Sequence, residues 1–458
     1  MLRSFYLSLV YGVFVFAGVV APFAFGLGYV WVDNFTPQKV AYSILTELPV
    51  SQIMAVGCVG AYVLVDRRAP PRPNVVSALG LLMLAWITYT TFALAVAPEF
   101  AYAKWDWASK TVIFSLFMPF LFRSRTQIEA FLQVYVFSLG AQFLPFAGKT
   151  LLSGGGYGMN YGVVAGNSGL SEGSTLATAC MTGALISLYL ARHQTILPQW
   201  RVVSWGFAGL AAACVIASVG TYERTALVGI AVLAGTLWLQ SRRKWMYAVV
   251  VGVCAAAVGA YLVTSNSEWA QRMMTIGDTQ DTSSLGRILV WRWTLDFVRD
   301  HPLGGGFYAY VIDSVTLPAS ADAPNGLVIH GKAFHSIYFE MLGENGWPGL
   351  VLFLSLIGAS AWSLLRVRRQ ARRISGMEWS VALAGTGLSC LAILLTCGAF
   401  ISIAFQPEVY YTFALAVMLS EHLRRVQKQI RLDADRTRFG DGRYADGGED
   451  PGWDGVLA

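Results

Sequence analysis

His335, Arg224 and Arg287 are the side chains with which this chain could carry out group transfer. A neutral imidazole titrates near working pH, so His335 is a candidate proton acceptor. An arginine fork matches phosphate oxygens and can stabilise charge growing on a leaving phosphate. Arg287 opens a stretch, Ser283-Ser284-Leu285-Gly286-Arg287 through Asp300, that reads as a helix capped by Ser283 or Ser284. Free N–H groups of that first turn and the Arg287 guanidinium point at negative charge. The plainer reading is a basic amphipathic helix lying on a membrane surface, because Arg292 and Arg299 share a face and apolar residues cover much of the rest. The other candidates also have plain alternatives. Arg224 could snorkel from a span end, and Lys104 and Lys110 could be interface anchors. Glu172 draws suspicion as an ionisable group at the end of an apolar run. Glu344, before a glycine-proline turn, could simply bond the loop. His330 and His335 are five apart, the wrong spacing for paired ligands on a helix, and no C-x-x-C occurs, so no metal site is expected.

The elements that must position these residues are apolar helices. Only 13% of the 458 residues are charged and 55% are hydrophobic, with mean hydropathy +0.52. Those values exclude an ordinary soluble enzyme, a disordered chain and a small secreted scaffold. The net charge of +6 does not imply nucleic acid, because the basic residues sit mainly in short loops. About 20 apolar residues cross a bilayer. Runs of that kind occupy 6–30, 45–65, 75–97, 106–122, 127–147, 170–191, 203–220, 225–241, 245–264, 340–365, 380–403 and 408–423. The expected fold is an all-α integral membrane protein of about twelve spans. More than two-thirds of the 33 Lys and Arg fall in one set of alternate loops, which places those loops and both termini in the cytoplasm. The expected organisation is spans over 1–264, a large extracytoplasmic loop over 265–339, spans again over 340–425, and a polar disordered tail over 426–458. The six cysteines lie within apolar runs and read as small buried hydrophobes. The first run is too long for the core of a cleavable signal and is expected to stay as a helix.

Several segments together carry a resemblance. Arg287-Ile288-Leu289-Val290-Trp291 gives R-x-x-x-W, and Pro302-Leu303-Gly304-Gly305-Gly306 follows. Then come His335-Ser336 and Glu344-Asn345-Gly346-Trp347-Pro348-Gly349, with Tyr222-Glu223-Arg224-Thr225-Ala226-Leu227 upstream. In combination they resemble the O-antigen ligase and polymerase superfamily, over essentially residues 1–425. Trp105-Asp106-Trp107-Ala108-Ser109-Lys110 and Gly166-Asn167-Ser168-Gly169-Leu170 resemble its exosortase-associated O-glycosylation ligases. The chain departs from the family at Thr221-Tyr222-Glu223-Arg224, which leaves the role of Glu223 open.

The resemblance implies metal-independent, inverting glycosyl transfer without a cofactor at the periplasmic face of the bacterial inner membrane. The donor would be a glycan on undecaprenyl diphosphate. The acceptor would be a lipid A–core sugar or a protein hydroxyl, with membrane lipids as further partners and no nucleic acid. His335 would take the acceptor proton, while Arg224, Arg287, Lys110 and Arg292 would hold the diphosphate. Lys104, Glu172, Tyr222, Tyr338 and Glu344 would support them. Two rivals stay open. A polymerase of the same superfamily would use the same donor. A lipid-linked oligosaccharide flippase would show internal repeats and midplane charges, and neither is evident. The acidic pair Asp278-Thr279-Gln280-Asp281 lacks the D-x-D spacing. Transfer is therefore expected to persist in excess chelator; loss of turnover in EDTA that Mg²⁺ or Mn²⁺ restores would refute this.

Overall fold

The computed structural model describes residues 2–42, 44–66, 68–155, 170, 172–241, 243–265, 282–317 and 326–439. The 166–169 motif, the 278–281 acidic pair and the tail from 440 lie outside them, as do the side chains of Ser283 and Cys254. Seven helices among the described residues are long and apolar enough to cross a membrane, which fits a multi-pass membrane protein. Two further apolar helices, Val50–Leu64 and Arg224–Gln240, are shorter. The expectation of about twelve crossings is not reached by that measure.

The first apolar run, expected to be one span, is two helices. α1 (Leu2–Val20) and α2 (Pro22–Phe35) fold back on each other across Ala21. Pro22 stands at the first position of α2, where its missing N–H is harmless, but it cannot continue α1. Phe14 packs on Trp31, and a side chain at Gly18 would strike Phe25. The fold-back brings the Arg3 guanidinium over the Tyr42 ring at 4.8 Å, and Ser4 accepts from the Tyr42 N–H. Arg3 therefore lies at the Tyr42 end of the bundle, not the opposite end as its place in the charge pattern implied.

The short helices α3 (Pro37–Val40) and α4 (Ile44–Glu47) follow. The remaining eleven runs each coincide with one helix: α5 (Val50–Leu64), α6 (Val75–Tyr89, extended by a π turn), α7 (Pro98–Leu121), α8 (Arg125–Ser153), α9 (Gly173–His193), α10 (Arg201–Val219), α11 (Arg224–Gln240), α12 (Lys244–Ser265), α14 (Ile337–Ala371), α15 (Glu378–Gly398) and α16 (Pro407–Phe439). Their ends carry sequence signals. Asn74 caps α6 through the Ser77 N–H, and Ser124 and Gln127 form a reciprocal capping box on α8. α9, α15 and α16 lie deep in the bundle, and five cysteines, Cys58, Cys180, Cys214, Cys390 and Cys397, are buried thiols among the apolar side chains.

α16 runs to Phe439, so the chain stays helical well past residue 426, where the disordered tail was expected to begin. The basic loops gather at one end: Arg68 reaches Gln127, Arg125 donates to the His193 carbonyl, and the Arg72 N–H donates to Glu421.

At the other end lies the large loop, which is not all helical. α13 (Thr282–Asp300) is followed by a 3₁₀ turn (Ala309–Ile312) and an antiparallel pair, β1 (Ser314–Leu317) and β2 (Leu327–His330), with Ser314 opposite His330. The hairpin was not anticipated. Val290, Phe297, Val298, Val315, Phe334 and Leu342 form a separate small core there. α13 thus buries its apolar face in the loop domain, in place of the membrane-surface helix that was the plainer reading.

The fold-back yields a topology test. Cysteines placed at residue 2 and after residue 425 should be labelled by an impermeant reagent from opposite sides of the membrane. Labelling of both from one side would mean that α1 and α2 form a single span.

Candidate active site

Two glycine segments fix the loop end. α14 breaks at Gly346, whose φ of +64° is open to glycine without strain. The break frees carbonyls that a straight helix would use. Gly305 and Gly306 donate their N–H groups to the Gly343 and Glu344 carbonyls at 3.0 and 2.9 Å, and the Trp347 N–H donates to Pro302 at 3.0 Å. A Cβ on Gly304 would lie 2.5 Å from the Gly346 nitrogen, and one on Gly346 would lie 2.3 Å from the Pro302 oxygen. The two sequence motifs are therefore two halves of one backbone joint.

Beside that joint, Lys104 of α7 is buried against two carboxylates of α14. Its Nζ lies 2.6 Å from Glu340 and 2.8 Å from Glu344. Glu344 also accepts the Tyr308 N–H at 2.9 Å, and Glu340 accepts the Ala404 N–H at 3.0 Å. Phe307 and Tyr308 present their ring faces to the ammonium, each at 5.2 Å. Lys104 and Glu344, expected as supports, meet here as parts of one lock. Glu340 was missed, although its four-residue spacing from Glu344 puts both on one helical face.

The arginines converge elsewhere at this end, where helices begin. Glu172 and Glu223 occupy the N-caps of α9 and α11. Ser174 donates to Glu223 at 3.2 Å and Thr225 donates to Ser174 at 3.3 Å, joining the two first turns. Arg224 reaches Ser284, in the first turn of α13, at 3.5 Å. Arg287, three residues further on, acts electrostatically on both Glu172 and His335. Ser336 occupies the N-cap position of α14, and Ile337 packs against Gly398, next to Cys397, which contacts the Thr225 carbonyl. Four helix N-termini therefore gather around Arg224, Arg287 and His335, and each adds partial positive charge.

Lys332 joins them. A Cβ on Gly286 would sit 3.4 Å from the Lys332 Nζ, so this ammonium overlies the turn that carries Arg287. The sequence offered one signal for it, a place three residues before His335.

His335 has a φ of +48°, uncommon for a residue with a side chain, and Tyr222 shares that region at +59°. Strain of this kind concentrates at functional sites. Around His335 the chain is held by Trp291, whose indole N–H donates to the Phe334 carbonyl at 2.8 Å. Burial, with Arg287 and Lys332 nearby, pushes the His335 imidazole down to about 4, so it is neutral at working pH but does not titrate there as the sequence suggested. Burial pushes the Glu172 carboxyl up, opposed by a hydrogen bond from Thr175 and by Arg287.

The other candidates stand apart. Lys110 pairs with Asp106 at 2.7 Å and lines a groove of about 590 Å³ among α2, α5, α6 and α7, so it does not join the arginines. Arg292 is exposed on α13. The Tyr222 hydroxyl donates to the Gly154 carbonyl at 2.9 Å and the Tyr338 hydroxyl to the Leu395 carbonyl at 3.1 Å, so both tie helices together.

Residues 208–354, which contain Arg224, Arg287, His335 and the glycine joint, match the family described as O-antigen ligase. Over that segment the chain is similar to the O-antigen ligase family. Residues 2–195 match a family of unknown function, DUF5935. A search of curated proteins gives no match.

The lock yields a stability prediction. Lys104→Met leaves two buried carboxylates without their cation and should cost about 3–5 kcal/mol, read as a marked fall in the thermal midpoint of the detergent-purified protein. Lys104→Met combined with Glu340→Gln and Glu344→Gln should recover much of the loss. An unchanged midpoint in the single variant would show that the triad is not structural.

Proposed function

We propose that this chain transfers a glycan from a membrane-borne polyprenyl diphosphate, undecaprenyl diphosphate in a bacterium, to an acceptor hydroxyl at the periplasmic face of the inner membrane. The observation that carries the reading is the meeting of four helix N-termini, two guanidinium groups and one ammonium around a neutral imidazole, where all but the α9 terminus belong to the segment that matches the O-antigen ligase family. A diphosphate is the group such a site would hold. Glu172 and Glu223 keep the cationic cluster from being an indiscriminate anion sink and orient the arginines. The groove beside Lys110, apolar along most of its length, suits a lipid chain.

The reaction balances without a further reactant. The acceptor oxygen attacks the anomeric carbon, and the bond from that carbon to the diphosphate oxygen breaks. The electron pair leaves on the diphosphate, where Arg224, Arg287 and Lys332 meet the added charge. The acceptor proton passes to the unprotonated imidazole nitrogen of His335. Direct displacement inverts the anomeric centre and calls on no metal. His335 is a weak base while two cations flank it, and a bound diphosphate offsets both charges, so its basicity rises when the donor is present. The exosortase-associated motifs favour a ligase acting on a protein or lipid A–core hydroxyl over a polymerase acting on a second lipid-linked glycan.

His335→Ala should retain donor binding and lose about 100- to 10,000-fold in transfer. Arg287→Lys and Arg224→Lys keep charge but lose the fork, and each should lose activity strongly. In the wild type, the acid limb of kcat/KM, which reports the free enzyme, should lie near the His335 value of about 4, while the limb of kcat should lie higher. Normal turnover in His335→Ala with loss in Glu172→Gln would transfer the base role to Glu172. Normal turnover in both arginine variants would overturn the diphosphate site.

A further inference from the structure

A second cavity opens at the loop end, on the side of Phe334 that carries the buried lock. It measures about 170 Å³, and Trp107, Tyr308, Tyr310, Ser402 and Gln406 line it together with Lys104, Glu340 and Glu344. Its lining is unlike a lipid slot. Five aromatic residues, Trp107, Tyr308, Tyr310, Phe334 and Phe405, contribute to it, Trp107 is 36% exposed, and hydroxyl, amide and carboxylate groups lie among them. Ser402 Oγ is buried and has no hydrogen-bond partner, which is costly unless a ligand or solvent supplies one. The Lys104 cluster uses one lone pair on some of its carboxylate oxygens, and each such oxygen has a second to offer. The one ammonium in the wall is already held by two carboxylates, so no spare cation faces the cavity from the lock.

We propose that this cavity is a subsite for an uncharged pyranose ring, which stacks on the tyrosine and tryptophan faces and bonds through its hydroxyls to Ser402, Tyr310 and the lock carboxylates. With its ammonium already paired, the lock offers no cation to a sugar carboxylate and so selects against sugars that carry one. Ala333 and Phe334 form part of the lining, so the subsite adjoins the segment that ends in His335. The assignment rests on the glycosyl-transfer reading and names the sugar class that the reaction handles. The arginine cluster takes the phosphates, and this cavity takes a ring.

The test is binding by saturation-transfer-difference NMR on the full-length protein in detergent, with methyl β-D-glucopyranoside and methyl β-D-glucuronide as probes. The glucoside should bind saturably and the glucuronide at least about tenfold more weakly. Ser402→Ala and Tyr310→Phe should each weaken the glucoside about fivefold. Ser402→Ala should leave the thermal midpoint unchanged or raised, because it removes an orphaned hydroxyl. In a transfer assay the same variants should raise the KM of one substrate, acceptor or donor, and so identify which supplies the ring. No saturable glucoside binding, equal binding of the glucuronide, or unchanged affinity in both variants would overturn the subsite. Because the NMR arm needs no turnover, glucoside binding without any transfer would count against the transferase reading alone.

Discussion

A buried ammonium held between two carboxylates is the constraint on which the loop end depends. Lys104 comes from α7, Glu340 and Glu344 from α14, and the carboxylates in turn fix the backbone at Tyr308 and Ala404. Separating any of these pieces would strand charge away from water, so they move as one body. That body carries the glycine joint, the start of α14 and hence His335. The arginines on α11 and α13 are then set against a fixed reference.

The placing of charge follows the same economy. Each helix N-terminus contributes partial positive charge through unsatisfied N–H groups, and several here begin with a short hydroxyl side chain in the first turn, such as Ser174, Thr175, Thr225 and Ser284. Bringing such ends together would be unfavourable without negative partners. Glu172 and Glu223 supply two of them in the resting protein, and the remaining excess is positive. The depressed basicity of His335 comes first from burial and then from the same arrangement, because Arg287 and Lys332 discourage a proton nearby.

Much of this was legible in the sequence. Eleven apolar runs became helices because hydropathy over a span length is a strong signal, and Arg224, Arg287 and His335 stood out by their spacing and family pattern. What was lost had local causes. Pro22 lies within an unbroken apolar run, so composition hid the fold-back that the proline ring enforces. Lys110 and Arg292 have the right charge, but Lys110 lies in a groove among α2, α5, α6 and α7 and Arg292 is exposed on α13, and no linear count of basic residues reports such placement. Glu340 and Lys332 were overlooked because each acts through partners far away in the chain, on α7 for one and on α13 for the other. The β1–β2 hairpin is too short to give a clear alternation.

The glycine joint has a consequence for how the loop can vary. Gly306 is bonded to the Glu344 carbonyl, and Phe334 packs on Gly343, so the segment between 306 and 334 leaves α14 and returns to it within two residues. It is a closed handle on a rigid post. The joint is made by backbone atoms, and the side chains that tie the handle down, Tyr308 at the lock, Val315 in the loop core and Lys332 beside Arg287, lie outside the chain that joins β1 to β2. The entropy of closing a loop grows only slowly with its length. The chain that joins β1 to β2 can therefore change in length or chemistry while His335 and the arginines keep their register, and the outer surface of this end can diverge without rebuilding the cluster beneath it.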